Sequence, residues 1–338
     1  MRNRYAIAIA LALAIATPVS GHHSTSIYDT VTLMSIEGIV TKFEWKNPHT
    51  YIQIETTNAE GTQLTNIEAG SISWLRPLGL APDSFQAGDR VTVWVYPPAR
   101  QNAQTLLGRE IIKEDGTPIP LNSLSPYINR TASSGRAIDI SGTWVMENGA
   151  WDRMEKSQPS WELTDNGEAA LARHNGVDTP QSECVPMSVP NLMFYPVVNL
   201  IDIREDAVRM RIDWMDSERI IYTDGREHPN ASQRFLHGHS SGRWEGEQGK
   251  LLVVETTNFA DHGAGSGYGI PSGSGKRVME RFQLSDDGTQ ISYSGVLESP
   301  EYLVEPVTWN FAFNNRPDLS HSERGCDLEN ARRFEVEE

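Results

Sequence analysis

The sequence predicts an all-β chain made of two barrels, a small five-stranded one followed by a larger up-and-down antiparallel one. Three observations carry this. Short runs of alternating apolar and polar residues recur along most of the 338 residues, and helical periodicity surfaces in only two brief stretches. Tight-turn residues separate the runs, among them Gly61, Gly88, Gly116, Asp224-Gly225 and Asp286-Asp287-Gly288. In the second half, strand follows strand without helical crossovers, and closing such a sheet on itself removes its exposed edges. A β-sandwich is the other arrangement open to that half.

Residues 36–42, 51–57 and 63–68 read as strands, 72–78 as a short helix, and 90–96 and 107–113 as two more strands. Three strands, a helix and two strands is the order of a five-stranded Greek-key barrel of the OB type. OB barrels often bind nucleic acids, but 29 Lys and Arg against 45 Asp and Glu give this chain a net charge of −16. That charge repels phosphate backbones and anionic lipid, so no nucleic-acid partner is expected and a purely structural barrel is the plain alternative. Residues 118–138, rich in Pro, Ser, Asn and Thr, read as a linker.

The second domain is read over 139–338. Strands are expected at 140–147, 197–203, 208–214, 219–223, 238–245, 251–259, 277–284, 290–297 and 307–314, with one helix at 166–174. Val208, Met210, Ile212 and Trp214 share one face, as do Val307, Trp309, Phe311 and Phe313. A barrel of about eight strands lined in this way either packs solid or encloses one small apolar ligand. The Gly- and Ser-rich stretch 263–275 reads as a loop at a barrel mouth.

The first 21 residues read as a secretory signal. Arg2 and Arg4 precede an apolar run that Pro18 ends, and Val19-Ser20-Gly21 supplies small residues for cleavage. The run is too short for a membrane span, and no later stretch reaches the required length. The barrel domains are thus assigned to 22–117 and 139–338, in the periplasm or outside the cell. In an oxidising compartment the two cysteines, Cys184 and Cys326, are expected to form a disulfide. A catalytic thiol is the alternative, although only Arg324 lies near either residue.

Two resemblances extend this reading. His22-His23-Ser24, Tyr28-Asp29, Gly38-Ile39-Val40, Phe43-Glu44-Trp45 and Asn47-Pro48-His49 resemble a family of small exported bacterial proteins known only as a domain of unknown function. Gly142-Thr143-Trp144 resembles the opening signature of lipocalin-type (calycin) barrels. Residues 220–229, Gly238-His239-Ser240 and Gly242 to Gly246 resemble a lipocalin-like domain of uncharacterised exported proteins. The resemblances imply an OB-like domain followed by a lipocalin-like barrel and carry over no catalytic residue.

Two histidine clusters could carry chemistry. Cleavage before His22 would give that residue a free amine beside its imidazole, and with His23 and His49 it forms a nitrogen-rich set suited to copper, with zinc and nickel behind it. A disordered N-terminus and a turn-capping His49 are the ordinary alternatives. The second cluster holds His228, His237, His239, Ser240, Arg243 and Glu245. On one strand His239 and Arg243 share a face, and Ser240 points away with Trp244. A polar outer face is the ordinary alternative here.

Glu280, between Val278 and Phe282 on an alternating strand, puts a carboxylate on a face that should enter the barrel. Arg219, Arg243 or His239 beside it would make a structural ion pair, whereas an apolar setting would raise its pKa toward acid–base use. If instead Arg281 turned inward, an anionic ligand group would be implied. Phosphate loops, Cys-x-x-Cys pairs and His-Glu-x-x-His helices are absent from the sequence, and no Gly-x-Ser-x-Gly stands at a strand-to-helix elbow, since Gly238 to Gly242 falls within an expected strand that no helix follows.

The expected function is binding of a small hydrophobic or aromatic molecule in the second barrel, lined by Trp214, Arg219, Trp244, Arg281, Trp309 and Phe311. Conversion of that molecule by cofactor-independent lyase, isomerase or hydratase chemistry would use Glu280 as acid or base, with His239 and Arg243 as partner and anion stabiliser. The competing expectation is a copper-binding N-terminal module with a structural or docking barrel.

Overall fold

The structure, a computed structural model, describes residues 27–332 apart from 59–60, 100–103, 130–132, 158–159, 175–179, 268, 274 and 323–324. The signal segment 1–21 and the copper candidates His22 and His23 lie outside the described residues.

In the first domain, β1 (Met34–Glu44), β2 (Thr50–Asn58) and β3 (Gly61–Ala69) form an antiparallel meander, and α1 (Ile72–Leu75) follows, continued by a 3₁₀ turn at Arg76–Leu78. β4 (Arg90–Tyr96), β5 (Leu106–Lys113) and β6 (Pro118–Pro120) complete the sheet. β1 pairs with β4, and a parallel pairing of β3 with β5 closes the five-stranded barrel expected for the OB type. β-Branched residues at alternate positions build the core, with Val91, Val93 and Val95 facing Ile52, Ile54, Ile67 and Ile111. α1 covers this core with Trp74 and Leu75, and the Ser71 hydroxyl caps it by accepting the Trp74 N–H at 3.1 Å.

The stretch read as a linker opens inside this domain. Its first three residues form β6, and Leu121 is buried in the first core. Two prolines are tolerated in β6 because it pairs on one side only, with β5.

The second domain starts with β7 (Gly142–Met146), α2 (Ala150–Ser157) and α3 (Asp165–Arg173), then β8 (Val198–Ile203), β9 (Ala207–Ile212) and β10 (Ser217–Tyr222). β11 (His239–Trp244), β12 (Leu251–Thr257), the small hairpin β13 (His262–Gly267) and β14 (Ile270–Ser272), β15 (Arg277–Leu284), β16 (Gln290–Glu298) and β17 (Val307–Asn315) follow, and α4 (Leu328–Ala331) lies near the C-terminus. Nine of these strands close into a barrel of order β10-β11-β12-β15-β16-β17-β7-β8-β9.

All nine strands were expected, but the ring corrects the expectation of about eight strands, all antiparallel. Up and down can alternate around a ring only when the strand count is even, so nine strands force one parallel pair. That pair is β10–β11, and residues 223–238 carry the chain back along the barrel between them. The mouth loop contains strand structure of its own, β13 and β14, and α2 was missed.

The first residues of β8, β11, β15 and β17 lie at one barrel end, which α2, α3, the segment 180–197 and the β13–β14 hairpin cover. A tail leaves β17 at the opposite end. Arg316 donates its N–H to Thr143, Ser322 reaches the β9–β10 turn, and Cys326 forms a disulfide with Cys184 in the covering segment, with Cα atoms 5.7 Å apart. α4 then returns to the first barrel, where Asn330 donates to the His49 carbonyl at 2.8 Å and Asp327 N–H to Asn47 O at 3.1 Å.

Candidate functional site

The interior of the second barrel follows the strand alternation. β15 turns Val278, Glu280, Phe282 and Leu284 inward, and β17 turns Trp309, Phe311 and Phe313 inward. The Tyr293 ring from β16 lies 4.7–5.9 Å from those of Phe282, Trp309, Phe311 and Phe313, and Phe194, from the covering segment, sits edge-on to Trp309 at 5.2 Å. Gly295 makes room for this arrangement, since a Cβ there would fall 2.3 Å from the Trp309 ring.

Within this aromatic shell lies a buried ion pair. Arg219 on β10 donates from Nη1 to Glu280 Oε1 at 2.9 Å and from Nη2 to Oε2, a bidentate contact. Its Nε reaches Ser240 Oγ on β11 at 3.1 Å, its Nη2 also reaches Thr256 Oγ1 on β12 at 2.9 Å, and the Tyr293 hydroxyl donates to Glu280 Oε1 at 2.8 Å. All five residues are buried. Burial works against the Arg219 charge, but Glu280 outweighs it and holds the guanidinium above its ordinary pKa. Burial, then the Glu280 charge, pushes the Tyr293 hydroxyl well above its usual range.

Glu280 therefore has the structural partner foreseen in Arg219, but the proposed grouping with His239 and Arg243 is not assembled. β11 turns Ser240 and Gly242 inward, which puts His239 and Arg243 on the outer surface. Arg243 pairs there with Glu245 at 2.9 Å, and Arg281, also outside, meets the same carboxylate at 3.2 Å. His239 stacks on Tyr222 and brings Nδ1 within 3.0 Å of His228 Nδ1. Burial, with the His228 and Arg226 charges, lowers its pKa.

Of the expected ligand-lining residues, Arg219, Trp309 and Phe311 face the interior and Arg281 does not. Trp214 lies past the end of β9, in the turn that Met215 and Asp216 make at positive φ, and its ring packs at a tilt against Tyr195, 4.4 Å away. Trp244 is half-buried at the end of β11, on the side of the barrel away from the cover.

A further buried group lies at the covered end. Lys276, just before β15, is 2% exposed, and its Nζ lies 2.9 Å from Ser188 Oγ, 3.0 Å from Ser272 Oγ, 3.2 Å from the Gly265 carbonyl and 4.2 Å from the Phe259 ring centre. The two hydroxyls are 3.0 Å apart. Burial holds the ammonium well below its ordinary pKa, and Glu280 opposes that only in part. The sequence reading overlooked this residue, although the β15 alternation extended back from Val278 falls on it.

In the first barrel His49 Nδ1 lies 3.0 Å from Glu68 Oε1, and the Tyr28 hydroxyl donates to Glu68 Oε2 at 2.7 Å; the Glu68 side chain is fully buried. Among the described residues no group of three or more His, Cys, Asp or Glu side chains is arranged to hold a metal ion. Between the barrels, Arg76 Nη1 donates to Asp213 Oδ2 at 2.8 Å and Nη2 to the Ser320 carbonyl at 2.7 Å. The Ser73 hydroxyl donates to the Asp213 carbonyl.

These features define a two-barrel all-β protein with an internally charged second barrel. Residues 10–107 match the model of a family of unknown function (DUF6152), so a domain of that kind precedes the second β-barrel. No curated protein matches the chain. The disulfide fits an oxidising, extracytoplasmic location, and no helix among the described residues is long and apolar enough to cross a membrane.

Proposed function

We propose that this is a periplasmic or secreted protein whose second barrel, read as lipocalin-like, takes up a small hydrophobic or aromatic molecule beneath its cover. The carrying observation is the aromatic wall of Trp309, Phe311 and Tyr293, on which the covering segment seats the Phe194 ring. An apolar wall with a few convergent polar groups is the makeup of small-molecule sites. A ligand would enter by displacing the Phe194 ring, leaving the Arg219–Glu280 pair as the polar floor.

Titration with 1-aminoanthracene, an apolar aromatic fluorophore, tests this. Saturable one-to-one binding is expected, and Phe194→Ala should tighten it by vacating the seat. Absence of saturable binding to both proteins would reject the reading.

A second reading, copper binding by the first domain, is favoured by the His49–Glu68 contact. A buried carboxylate on Nδ1 orients an imidazole to ligate through Nε2, the usual outer-shell arrangement of metal-bound histidine. Mass spectrometry of the exported chain and Cu(II) titration test it. A mature chain beginning elsewhere than His22, or a copper affinity unchanged by His49→Ala, would remove it.

A further inference from the structure

We propose that Ser188, Ser272 and Lys276 form a serine–lysine nucleophile site, with Lys276 Nζ as the base that activates one of the two hydroxyls for acyl transfer. Serine is a weak nucleophile until a neighbouring base removes its proton, and lysine serves as that base when its surroundings keep it neutral. The geometry meets the first requirement. Nζ is 2.9 and 3.0 Å from the two oxygens, which are themselves 3.0 Å apart, so either hydroxyl can hand its proton to the amine directly.

The surroundings meet the second requirement. The other neighbours of Nζ are a backbone carbonyl, that of Gly265, and the face of Phe259, and among the described residues no carboxylate lies within hydrogen-bonding distance of it. Glu280, the acid whose charge acts on the amine, is committed to Arg219 and Tyr293. Burying a charged ammonium among neutral groups is unfavourable, so the neutral amine is the preferred form. Structural buried lysines are ordinarily held by a carboxylate, and this one is held by two nucleophiles.

The three residues come from separate parts of the covered end. Ser188 lies in the segment that also carries Phe194, Ser272 in β14, and Lys276 at the entry to β15. The site therefore sits beneath the cover at the entry to β15, and access requires the β13–β14 hairpin or the 180–197 segment to move.

The chemistry balances with an ester and water alone. Serine Oγ bonds to the acyl carbon while its proton passes to Nζ. The C–O bond to the alcohol then breaks, and the departing oxygen takes that proton. Water next adds to the acyl carbon, giving a proton to Nζ; the bond from carbon to Oγ breaks, and Oγ recovers the proton. The products are a carboxylic acid and an alcohol. The substrate class, an ester of a hydrophobic or aromatic acid, rests on the ligand-binding reading above, whereas the serine chemistry does not.

The test is incubation of the full exported chain with an alkyl fluorophosphonate, followed by intact mass and peptide mapping. Attack at phosphorus forms a P–O bond, expels fluoride and leaves a stable adduct. One adduct is expected, on Ser188 or Ser272. Lys276→Met, close to lysine in length, should slow its formation by about 100-fold or more, the usual contribution of a general base. Circular dichroism would confirm that the variant is folded. No adduct on the wild-type chain, an adduct on another residue, or an unchanged rate in folded Lys276→Met would overturn the proposal. Failure of 1-aminoanthracene to bind while the serine is labelled would remove the substrate class alone.

Discussion

Replacing Asp213 by Asn should stabilise the protein at neutral pH and make no difference in acid. The Asp213 carboxyl is fully buried at the contact between the barrels, with Arg76 at 2.8 Å, the Ser322 N–H at 2.7 Å and His321 Nε2 at 3.4 Å. Burial raises its pKa to about 6 from 3.8; the Ser322 N–H and Arg76 restrain the rise and Asp216 adds to it. The folded state therefore holds this proton more tightly than the unfolded chain. The stability so gained is complete below 3.8 and is lost as pH climbs through about 6. Between those values, at 1.36 kcal/mol per pH unit, the loss reaches about 3 kcal/mol.

Asparagine imitates the neutral acid at every pH. The variant should thus exceed the wild type by up to about 3 kcal/mol at pH 7.5, and the gap should close as pH falls toward 4. Urea unfolding midpoints of both proteins across pH 4–8 measure the gap, and titrations elsewhere in the chain largely cancel in the comparison. A variant less stable than wild type at pH 7.5, by more than at pH 5, would refute the reasoning: the Arg76 contact would then outweigh the cost of burial.

Glu280→Gln leaves the Arg219 guanidinium buried without its counter-charge and should cost about 3–5 kcal/mol, read from urea midpoints; a loss below about 1 kcal/mol would deny the pair its structural role. Reduction of Cys184–Cys326 opens a loop of 142 residues, which the chain-entropy relation values at about 4 to 5 kcal/mol before native strain, so thermal stability should fall clearly. Two titratable thiols in unreduced, unfolded protein would refute the bridge, and an unchanged ligand profile after reduction would refute a gating role for the segment it fastens. Gly295→Ala forces a Cβ into the Trp309 ring and should destabilise by about 1–3 kcal/mol with altered tryptophan emission; unchanged emission and stability would show that the ring has room to shift.

Strands were legible wherever one face was apolar, as at Val208, Met210 and Ile212 or along Trp309, Phe311 and Phe313. That pattern is a local property of each chain segment. It overran at Trp214 because alternation continues past Ile212, while the positive φ values of Met215 and Asp216 end the strand. Which face enters the barrel was harder to read on β11. Small inward residues, Ser240 and Gly242, leave His239 and Arg243 outside, so polarity alone did not orient the strand. The parallel pair was invisible because strand parity belongs to the whole ring. Lys276 escaped notice because a lysine beside a glycine-rich stretch looks solvated, and its burial comes from Ser188, 88 residues earlier in the chain.

The parallel pair also divides the ring in a way that bears on how the barrel closes. β10 and β11 share only the partners Ile221–Ser240 and Tyr222–Ser241, and β17 meets β7 over three, whereas β15 and β16 pair over eight. These two short seams separate a local meander, β7 to β10, from a second, β11 to β17, each of which needs only near-neighbour contacts to form. Arg219 belongs to the first half; Ser240, Thr256 and Glu280 belong to the second. Its bonds come into being only when the halves meet in register, making the guanidinium a bolt across the weaker seam. Two fragments divided within the crossover 223–238, with Cys184–Cys326 reduced so that no disulfide tethers them, should then reassemble when mixed, and lose that ability once Arg219 is replaced.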